Sequence, residues 1–301
     1  MSLLSWNCRG LGNPGQLWTF ARWWRRSNPG LCFLMETKIR NVRMQSVRIT
    51  LGFDGMLTVD PVGLSGGIAL LWKQSEEVEI QTYSQRHISA WIKGVGSAGP
   101  WLFTGFYGDP DSAKREFSWR LLTHLRPPTS LPWLCVGDFN EICDHSEKSG
   151  GAIHSEHQMA MFRDTLEACH LYDLGYIGPR FTWSNCRDSE QHIMERLDRA
   201  TATHEWCTRF RDAKVLILAA RSSDHNPVCV FFSKGRSSHR RRRIFRFEAS
   251  WNLDAQSSDI VKNAWTGIGL GDGAMQSVRT KLAQCQRALV QWSSSKYRNS
   301  A

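Results

Sequence analysis

The sequence lacks the features of secreted, membrane-spanning and disulfide-built proteins. No apolar run reaches the ~20 residues that a membrane-spanning helix needs, and the start, MSLLSWNCRG, has no basic segment followed by a long apolar one. The nine cysteines are scattered, without a C-x-x-C pair. These absences argue against a disulfide framework and a zinc site, and they predict an intracellular protein with reduced thiols and no membrane partner.

An excess of positive charge is also lacking over most of the chain, although the net charge of the whole chain is +10. Residues 1–233 carry 25 Lys and Arg against 24 Asp and Glu, a balance of +1. Residues 234–247, KGRSSHRRRRIFRF, carry seven cations and no acid. This run predicts nucleic-acid contacts by Arg240, Arg241, Arg242 and Arg243 and favours the nucleus over the cytoplasm; a solvated linker is the alternative.

Apolar periodicity predicts alternating strands and helices. Strands are expected at residues 3–6, 31–35, 67–72, 87–94, 101–107, 133–137 and 227–232. Helices are expected at 16–26, 112–125 and 155–168, the last with Ser155 as N-cap. Several strands follow one another between residues 53 and 107, so two helix-covered sheets explain the pattern better than one parallel sheet.

The composition predicts three parts. Residues 1–233 form the main domain, 234–247 a basic linker, and 248–301 a tail with two amphipathic helices. The tail helices either cover an apolar surface of the main domain or await a partner, and the protein is expected to be a monomer.

Polar residues follow several predicted strands at once. In VGDFN, Asp138 and Asn140 are two residues apart and would project from the same face of a strand, although both residue types also favour simple turns. Similar positions are taken by Asn7, Glu36 and Tyr107. The pair Asp224–His225 comes just before the predicted strand 227–232, and Asp198 lies in ERLDRA. The bland alternatives are a surface pair of Glu36 with Lys38, a salt bridge of Asp198 with its neighbouring arginines, and a strand cap by Asp224–His225.

Together these residue types suit phosphodiester hydrolysis. A hard cation such as Mg²⁺ takes oxygen ligands, which Glu36 could supply with Asp224 or Asp138 nearby. Hydrolysis also needs a positioned water and hydrogen-bond donors for the phosphate oxygens, and Asn, Tyr and His are suitable donors. His225 would need a carboxylate partner to fix its tautomer, and Asp198 is a candidate.

A set of motifs in order resembles the endonuclease/exonuclease/phosphatase superfamily. The motifs are WNCRGLG, METK, GFYGDPD, PWLCVGDFNEI, FTWSN, ERLDRA and SSDHNPV, over roughly residues 3–233. With GLSGGIALLW and EKSGG, the set is most similar to the apurinic/apyrimidinic-like endonuclease domain of plant non-LTR (LINE-type) retrotransposons. The resemblance implies a DNase I-like α/β fold, a four-layer αββα sandwich of two mixed sheets, with the site at one edge.

The resemblance also implies an activity and residue roles. The protein would be a Mg²⁺-dependent DNA endonuclease, with Mn²⁺ as the alternative ion, nicking one strand to leave a 3′-OH. Glu36, Asn7 and Asp224 would lie on the metal side, while Ser223 and Thr182 would lie near the phosphate. The catalytic residues would be Asp138 and Asn140 at the attacking water, Tyr107 at the phosphate, and His225 oriented by Asp198.

The sequence also departs from the family pattern and leaves rival functions open. Repair-type relatives have an Asn three residues after the position of Tyr107, where this chain has Pro110 preceded by Asp109. No Tyr-Ala-Asp-Asp-type polymerase motif is present, so the resemblance predicts an endonuclease without its reverse transcriptase. The alternatives are a phosphatase or phosphodiesterase of the same fold acting on small phosphoesters, and a catalytically silent retrotransposon remnant.

Overall fold

The computed structural model describes residues 2–12, 28–63, 65–73, 78–93, 99–128, 130–187, 189–219, 223–232, 251, 254–266 and 274–296. The predicted helix at 16–26 and the basic run at 234–247 lie outside the described residues. The chain divides into two compact units, Met1–Gly235 and Arg236–Ala301. Among the described helices, none is long and apolar enough to cross a membrane.

The strands of the first unit form two large sheets and one small one. In chain order they are β1 Ser2–Asn7, β2 Leu31–Met35, β3 Gly55–Val59, β4 Ile68–Trp72, β5 Val78–Tyr83, β6 His87–Ile92, β7 Trp101–Tyr107, β8 Trp133–Asp138, β9 Lys148–Ser149, β10 Tyr172–Asp173, β11 Trp183–Ser184, β12 Met194–Glu195, β13 Asp198–Ala202, β14 Lys214–Ile217 and β15 Val228–Phe231. The helices are α1 Asn41–Leu51, α2 Arg115–His124, α3 Glu156–Ala168 and α4 His204–Arg209.

Each large sheet has a parallel pair of strands at its centre. The first sheet has the order β14-β15-β1-β2-β4-β3, and the second has the order β10-β13-β8-β7-β6-β5. β1 pairs with β2 and β7 pairs with β8 in parallel, while the other neighbours are antiparallel. The small sheet has the order β11-β12-β9. Two mixed sheets flanked by helices confirm the predicted α/β fold class.

Alternation along the central strands builds four layers. In β2, Leu31, Phe33 and Met35 face the core between the sheets, while Cys32 and Leu34 face α1. Successive side chains of a strand point to opposite faces, so a continuous apolar run implies burial on both faces. The second sheet repeats this arrangement, because its outer face packs on α2 and α3 through the residues Leu102, Phe106, Trp133, Cys135, Trp119, Leu122, Phe162 and Leu166.

Several predicted bounds agree closely with the structure. β2 and β7 coincide with the runs 31–35 and 101–107, and α2 lies within 112–125 after a 3-10 turn at Ser112–Lys114. α3 follows Ser155, but the Ser155 side chain makes no capping hydrogen bond. The sequence did not predict α1, whose buried residues are only Met44, Val47 and Leu51.

The second unit contains two described helices, α5 Ala255–Thr266 and α6 Ala274–Lys296. The predicted tail helices lie within them. Trp251 packs edge-on against Trp292, with ring centroids 5.7 Å apart, and Cys285 and Leu289 are buried. The two helices therefore form a small unit with its own apolar contacts.

Candidate active site

The topology brings the ends of six strands to one edge of the sandwich. Parallel pairing places Asn7 opposite Met35, which precedes Glu36, and Tyr107 opposite Asp138. β13 runs antiparallel to β8, so its first residue, Asp198, lies opposite Asp138. β15 runs antiparallel to β1, which brings the preceding His225 close to Asn7. The sheet pairing thus collects residues that are distant in sequence.

Asp138, His225 and Asp198 form a buried group of two carboxylates around one imidazole, which we call the triad. Nδ1 of His225 lies 2.8 Å from Oδ2 of Asp198 and 3.8 Å from Oδ2 of Asp138. All three residues are at most 3% exposed. Nδ1 is committed to Asp198, which leaves Nε2 as the ring nitrogen that can face a substrate. The predicted pairing of Asp198 with His225 therefore has the required geometry.

The triad shifts the pKa values of its members. Burial raises the pKa of Asp138 to about 6, and the nearby charge of Asp198 adds to this effect. Burial alone would lower the pKa of His225, but the charges of Asp198 and Asp138 prevail and raise it to about 9. At neutral pH the imidazole is therefore protonated and balances part of the two negative charges.

Asn7 links the triad to Glu36. Its Nδ2 donates to Oδ2 of Asp138 at 2.9 Å and to Oε1 of Glu36 at 3.3 Å. The hydroxyl of Tyr107 donates to the same Glu36 oxygen at 2.9 Å. Burial would raise the pKa of Glu36, but these hydrogen bonds and Lys38 together lower it. Burial and the neighbouring carboxylates raise the pKa of Tyr107, so its phenol stays a donor.

Glu36 and Asp224, the two carboxylates expected on the metal side, both pair with the positively charged side chain of Arg9. Arg9 contacts Oε2 of Glu36 through Nε at 3.8 Å and forms a short ion pair with Oδ2 of Asp224 through a terminal guanidinium nitrogen. Lys38 lies 3.2 Å from the same Glu36 oxygen. A carboxylate pair that attracts a guanidinium also suits a hard divalent cation. The donor set thus fits the expected metal, although Asn7 is oriented here as a donor and not as a ligand.

The triad is a second place where a cation could bind. Its ligand atoms lie within 4.8 Å of one another. A metal-bound imidazole must be neutral, whereas the pKa of His225 is raised to about 9. The proton on His225 therefore already supplies a positive charge at this position, and metal binding at Glu36 and Asp224 stays a prediction.

The remaining predicted residues lie around this centre. Asn140, in a left-handed conformation with φ 54°, donates its backbone N–H to Oδ1 of Asp138 and its side-chain amide to the carbonyl of Gly108. The hydroxyl of Ser223 donates to the carbonyl of Asn7 and accepts from the N–H of His225. Both residues thus brace the site, and their contacts with water or phosphate stay predictions.

Thr182 lies beside Asp198. Its side chain is fully buried, and its oxygen accepts hydrogen bonds from the N–H groups of Leu197 and Asp198, both at 2.9 Å. This geometry supports a role in positioning Asp198, and the expected place of Thr182 near the phosphate stays a prediction. Arg240, Arg241, Arg242 and Arg243 lie outside the described residues.

Two features of the site were missed from the sequence. One is Arg9, whose contact with Asp224 spans 215 residues of chain. The other is the partner set of the arginines beside Asp198: Arg196 and Arg199 pair with Glu147 and Asp173, not with Asp198. The salt-bridge alternative for Asp198 is therefore wrong.

A solvent-shielded carboxylate–imidazole group at the edge of a two-sheet sandwich defines a hydrolase-like centre. The family model described as "Endonuclease/Exonuclease/phosphatase family" matches residues 4–225, so the chain belongs to that family. The comparison with curated proteins gives no match.

Solved structures show the same fold at low sequence identity. An AP endonuclease, LMAP, of Leishmania major has a TM-score of 0.62 and 15% identity over 78% of this chain and 88% of that chain. The 3′ phosphatase NExo from Neisseria, solved with a product DNA hairpin, has a TM-score of 0.59 and 18% identity over 78% of this chain and 100% of that chain. The endonuclease domain of TRAS1, a telomere-specific non-LTR retrotransposon, has a TM-score of 0.55 and 14% identity over 78% of this chain and 99% of that chain. None of these comparisons supports the plant assignment, which stays a prediction.

Proposed function

We propose that the protein is a divalent-metal-dependent DNA endonuclease of the retrotransposon type, which nicks one strand and leaves a 3′-OH and a 5′-phosphate. The observation that carries the proposal is the triad, held by Asn7 beside a Glu36 that also accepts from Tyr107. A general base, a protonated imidazole and a carboxylate that suits a metal are thereby gathered at one edge. Family membership and the similarity to nuclease folds support the same function.

The charges of the site suit an in-line hydrolysis. Asp138, with a pKa raised to about 6, accepts a proton from the water that attacks phosphorus. The bond between phosphorus and O3′ breaks, and the departing oxygen takes a proton from solvent to become the 3′-OH. Protonated His225 and the Tyr107 hydroxyl stabilise the charge that develops on the phosphate oxygens.

The metal side of the site completes the chemistry. A divalent ion at Glu36 and Asp224 would supply Lewis-acid stabilisation of the phosphate when bound. Asn7 fixes the distance between this side and the triad, because it donates to a carboxylate of each. The Asp138 carboxylate is thereby held in place by hydrogen bonds on both of its oxygens.

A plasmid-relaxation assay tests the proposal. The full chain should nick supercoiled plasmid in Mg²⁺ and not in EDTA, and Glu36→Gln should lower the rate by about 100-fold or more because it removes the charge that a hard cation needs. Glu116→Gln is a matched control, since Glu116 pairs with Arg120 on the surface of α2. Equal nicking by wild type and Glu36→Gln over a Mg²⁺ titration would contradict the metal assignment.

The same samples separate the rival functions. Release of inorganic phosphate from 3′-phosphorylated DNA or small phosphoesters, without plasmid nicking, would identify a phosphatase, the activity for which the Neisseria enzyme is named. A folded protein that binds Mn²⁺ but hydrolyses none of these substrates would be a silent remnant.

A further inference from the structure

Arg9 lies between the two carboxylates that the proposed function assigns to the metal. It contacts Glu36 through Nε at 3.8 Å and Asp224 through a terminal guanidinium nitrogen. The two acids are 16% and 17% exposed, whereas the Arg9 side chain is 46% exposed. One side chain from a loop thus pairs with both acids, and Lys38 adds a second cation at Glu36, 3.2 Å from its Oε2.

The backbone holds Arg9 at this position. Arg9 has φ 45°, a left-handed conformation that a non-glycine residue adopts uncommonly, and its N–H donates to Oδ1 of Asn7 at 3.3 Å. The flanking residues are also fixed, because the N–H of Cys8 donates to Met35 and that of Leu11 to Thr37. Arg9 therefore lies in a turn whose backbone is hydrogen-bonded on both sides of it.

A guanidinium and a divalent ion cannot use the same carboxylate oxygens at the same time. Arginine keeps its charge at any working pH, so it pairs with Glu36 and Asp224 whenever no metal is bound. A metal that binds to these oxygens must displace it. Because the Arg9 side chain is nearly half exposed, a path into solvent is open to its guanidinium.

We propose that Arg9 is a built-in counter-ion that occupies the metal side of the site and is displaced when a divalent cation binds. This inference rests on the proposed function, because it takes Glu36 and Asp224 as metal-side residues. Arg9 makes metal binding weaker than the acids alone would allow, and in return it keeps the two acids from repelling each other in the metal-free protein.

Metal affinity of the DNA-free protein is the direct test. Binding of Mn²⁺ to the full chain is measured by EPR and by calorimetry for wild type, Arg9→Ala, Arg9→Gln and Glu36→Gln. Arg120→Ala is the matched control, because it removes the same charge from a surface pair with Glu116. Arg9→Ala should bind Mn²⁺ about three- to tenfold more tightly than wild type, as expected for the loss of two partly exposed ion pairs, while Arg120→Ala should bind like wild type.

Thermal unfolding gives a second readout. Without metal, Arg9→Ala should melt below wild type, and saturating Mn²⁺ should raise its Tm by more than it raises the Tm of wild type. Arg9→Gln keeps the length of the side chain and should behave in the same way, which covers the case in which Arg9→Ala folds poorly.

The outcomes separate the inference from the function beneath it. If Glu36→Gln weakens Mn²⁺ binding but both Arg9 variants bind like wild type or more weakly, Arg9 is not a competing counter-ion and only this inference fails. If Glu36→Gln binds Mn²⁺ like wild type, the metal assignment fails and the inference fails with it. The inference is supported only if the Arg9 variants bind Mn²⁺ more tightly than wild type while Glu36→Gln binds it more weakly.

Discussion

The substitution Asp198→Asn should lower the pKa of His225. The pKa of His225 is raised from 6.5 to about 9 even though burial opposes protonation, and the largest opposing cause is the charge of Asp198. Asp198 is also the closer acid, at 2.8 Å from Nδ1 against 3.8 Å for Asp138. Removing an opposite charge at hydrogen-bond distance changes a pKa by ~1 to 3. We expect a decrease of about 2 for Asp198→Asn and a smaller one for Asp138→Asn.

NMR titration of the imidazole measures this directly. The ring ¹⁵N shifts of His225 are followed from pH 5 to pH 10 in wild type and in both Asn variants, with His225→Gln used to assign the signals. The most specific prediction is that Asp198→Asn lowers the pKa of His225 more than Asp138→Asn does, because Asp198 lies closer to Nδ1. An equal or larger decrease in Asp138→Asn would show that the hydrogen bond to Asp198 does not control the imidazole.

The same pKa predicts how stability depends on pH. The pKa of His225 is higher in the folded protein than its ordinary 6.5, so its contribution to stability is fully present below pH 6.5 and is lost as pH rises through about 9. The contribution is worth about 3 kcal/mol, at ~1.36 kcal/mol for each pKa unit. In urea unfolding, the free energy of unfolding should decrease less between pH 6 and pH 10 for Asp198→Asn than for wild type. Equal decreases would contradict the assignment of the raised pKa to the pairing of His225 with Asp198.

Three further predictions concern activity, packing and DNA binding. The nicking rate should follow a bell-shaped pH profile. It should rise through pH about 6 as Asp138 loses its proton, and fall through pH about 9 as His225 loses its proton. A rate that is constant from pH 5 to pH 10 would exclude both roles. Gly137→Ala should lower the free energy of unfolding in urea by about 2 to 4 kcal/mol, because an added Cβ would lie 1.8 Å from the carbonyl oxygen of Phe106, whereas Gly12→Ala, with open space around it, should change it little. Replacing Arg240, Arg241, Arg242 and Arg243 with alanine should flatten the log–log salt dependence of duplex binding by up to ~3.6, at ~0.9 per phosphate contact, and an unchanged slope in fluorescence anisotropy would leave DNA binding to other residues.

The sequence predicted the strands better than the contacts at their ends. The runs 31–35 and 101–107 are apolar throughout because both faces of each sheet are covered, so burial itself marks their limits. The helix α1 escaped prediction because its stripe of three buried residues is surrounded by polar ones. Helical periodicity is a weak signal when only one narrow face is buried.

In the candidate site too, the sequence predicted the positions of residues better than their contacts. Placing Asp138 and His225 needed only polar residues next to apolar runs, which the sequence displays. The sequence predicted no strand at Asp198–Ala202, so the rule that adjacent residues of a strand point to opposite faces could not separate Asp198 from Arg199. Arg199 points to the outer side of its sheet, 5.5 Å from the ring centroid of Phe162, while Asp198 points to His225. Which face a charge occupies is decided by sheet pairing, not by local sequence.

The cost of the triad argues against a silent remnant. Two carboxylates with no more than 2% exposure lie within 4.8 Å of one another and of one imidazole, and burial of such charges opposes folding. The two negative charges are compensated by hydrogen bonds from Asn7 and Asn140 to Asp138 and by the proton on His225. Loss of one compensating residue would leave an unpaired buried charge, whereas apolar replacement of the whole group could stabilise the fold. The intact group therefore costs stability that a chain without it would keep, and this cost supports the proposed hydrolytic function over a silent remnant.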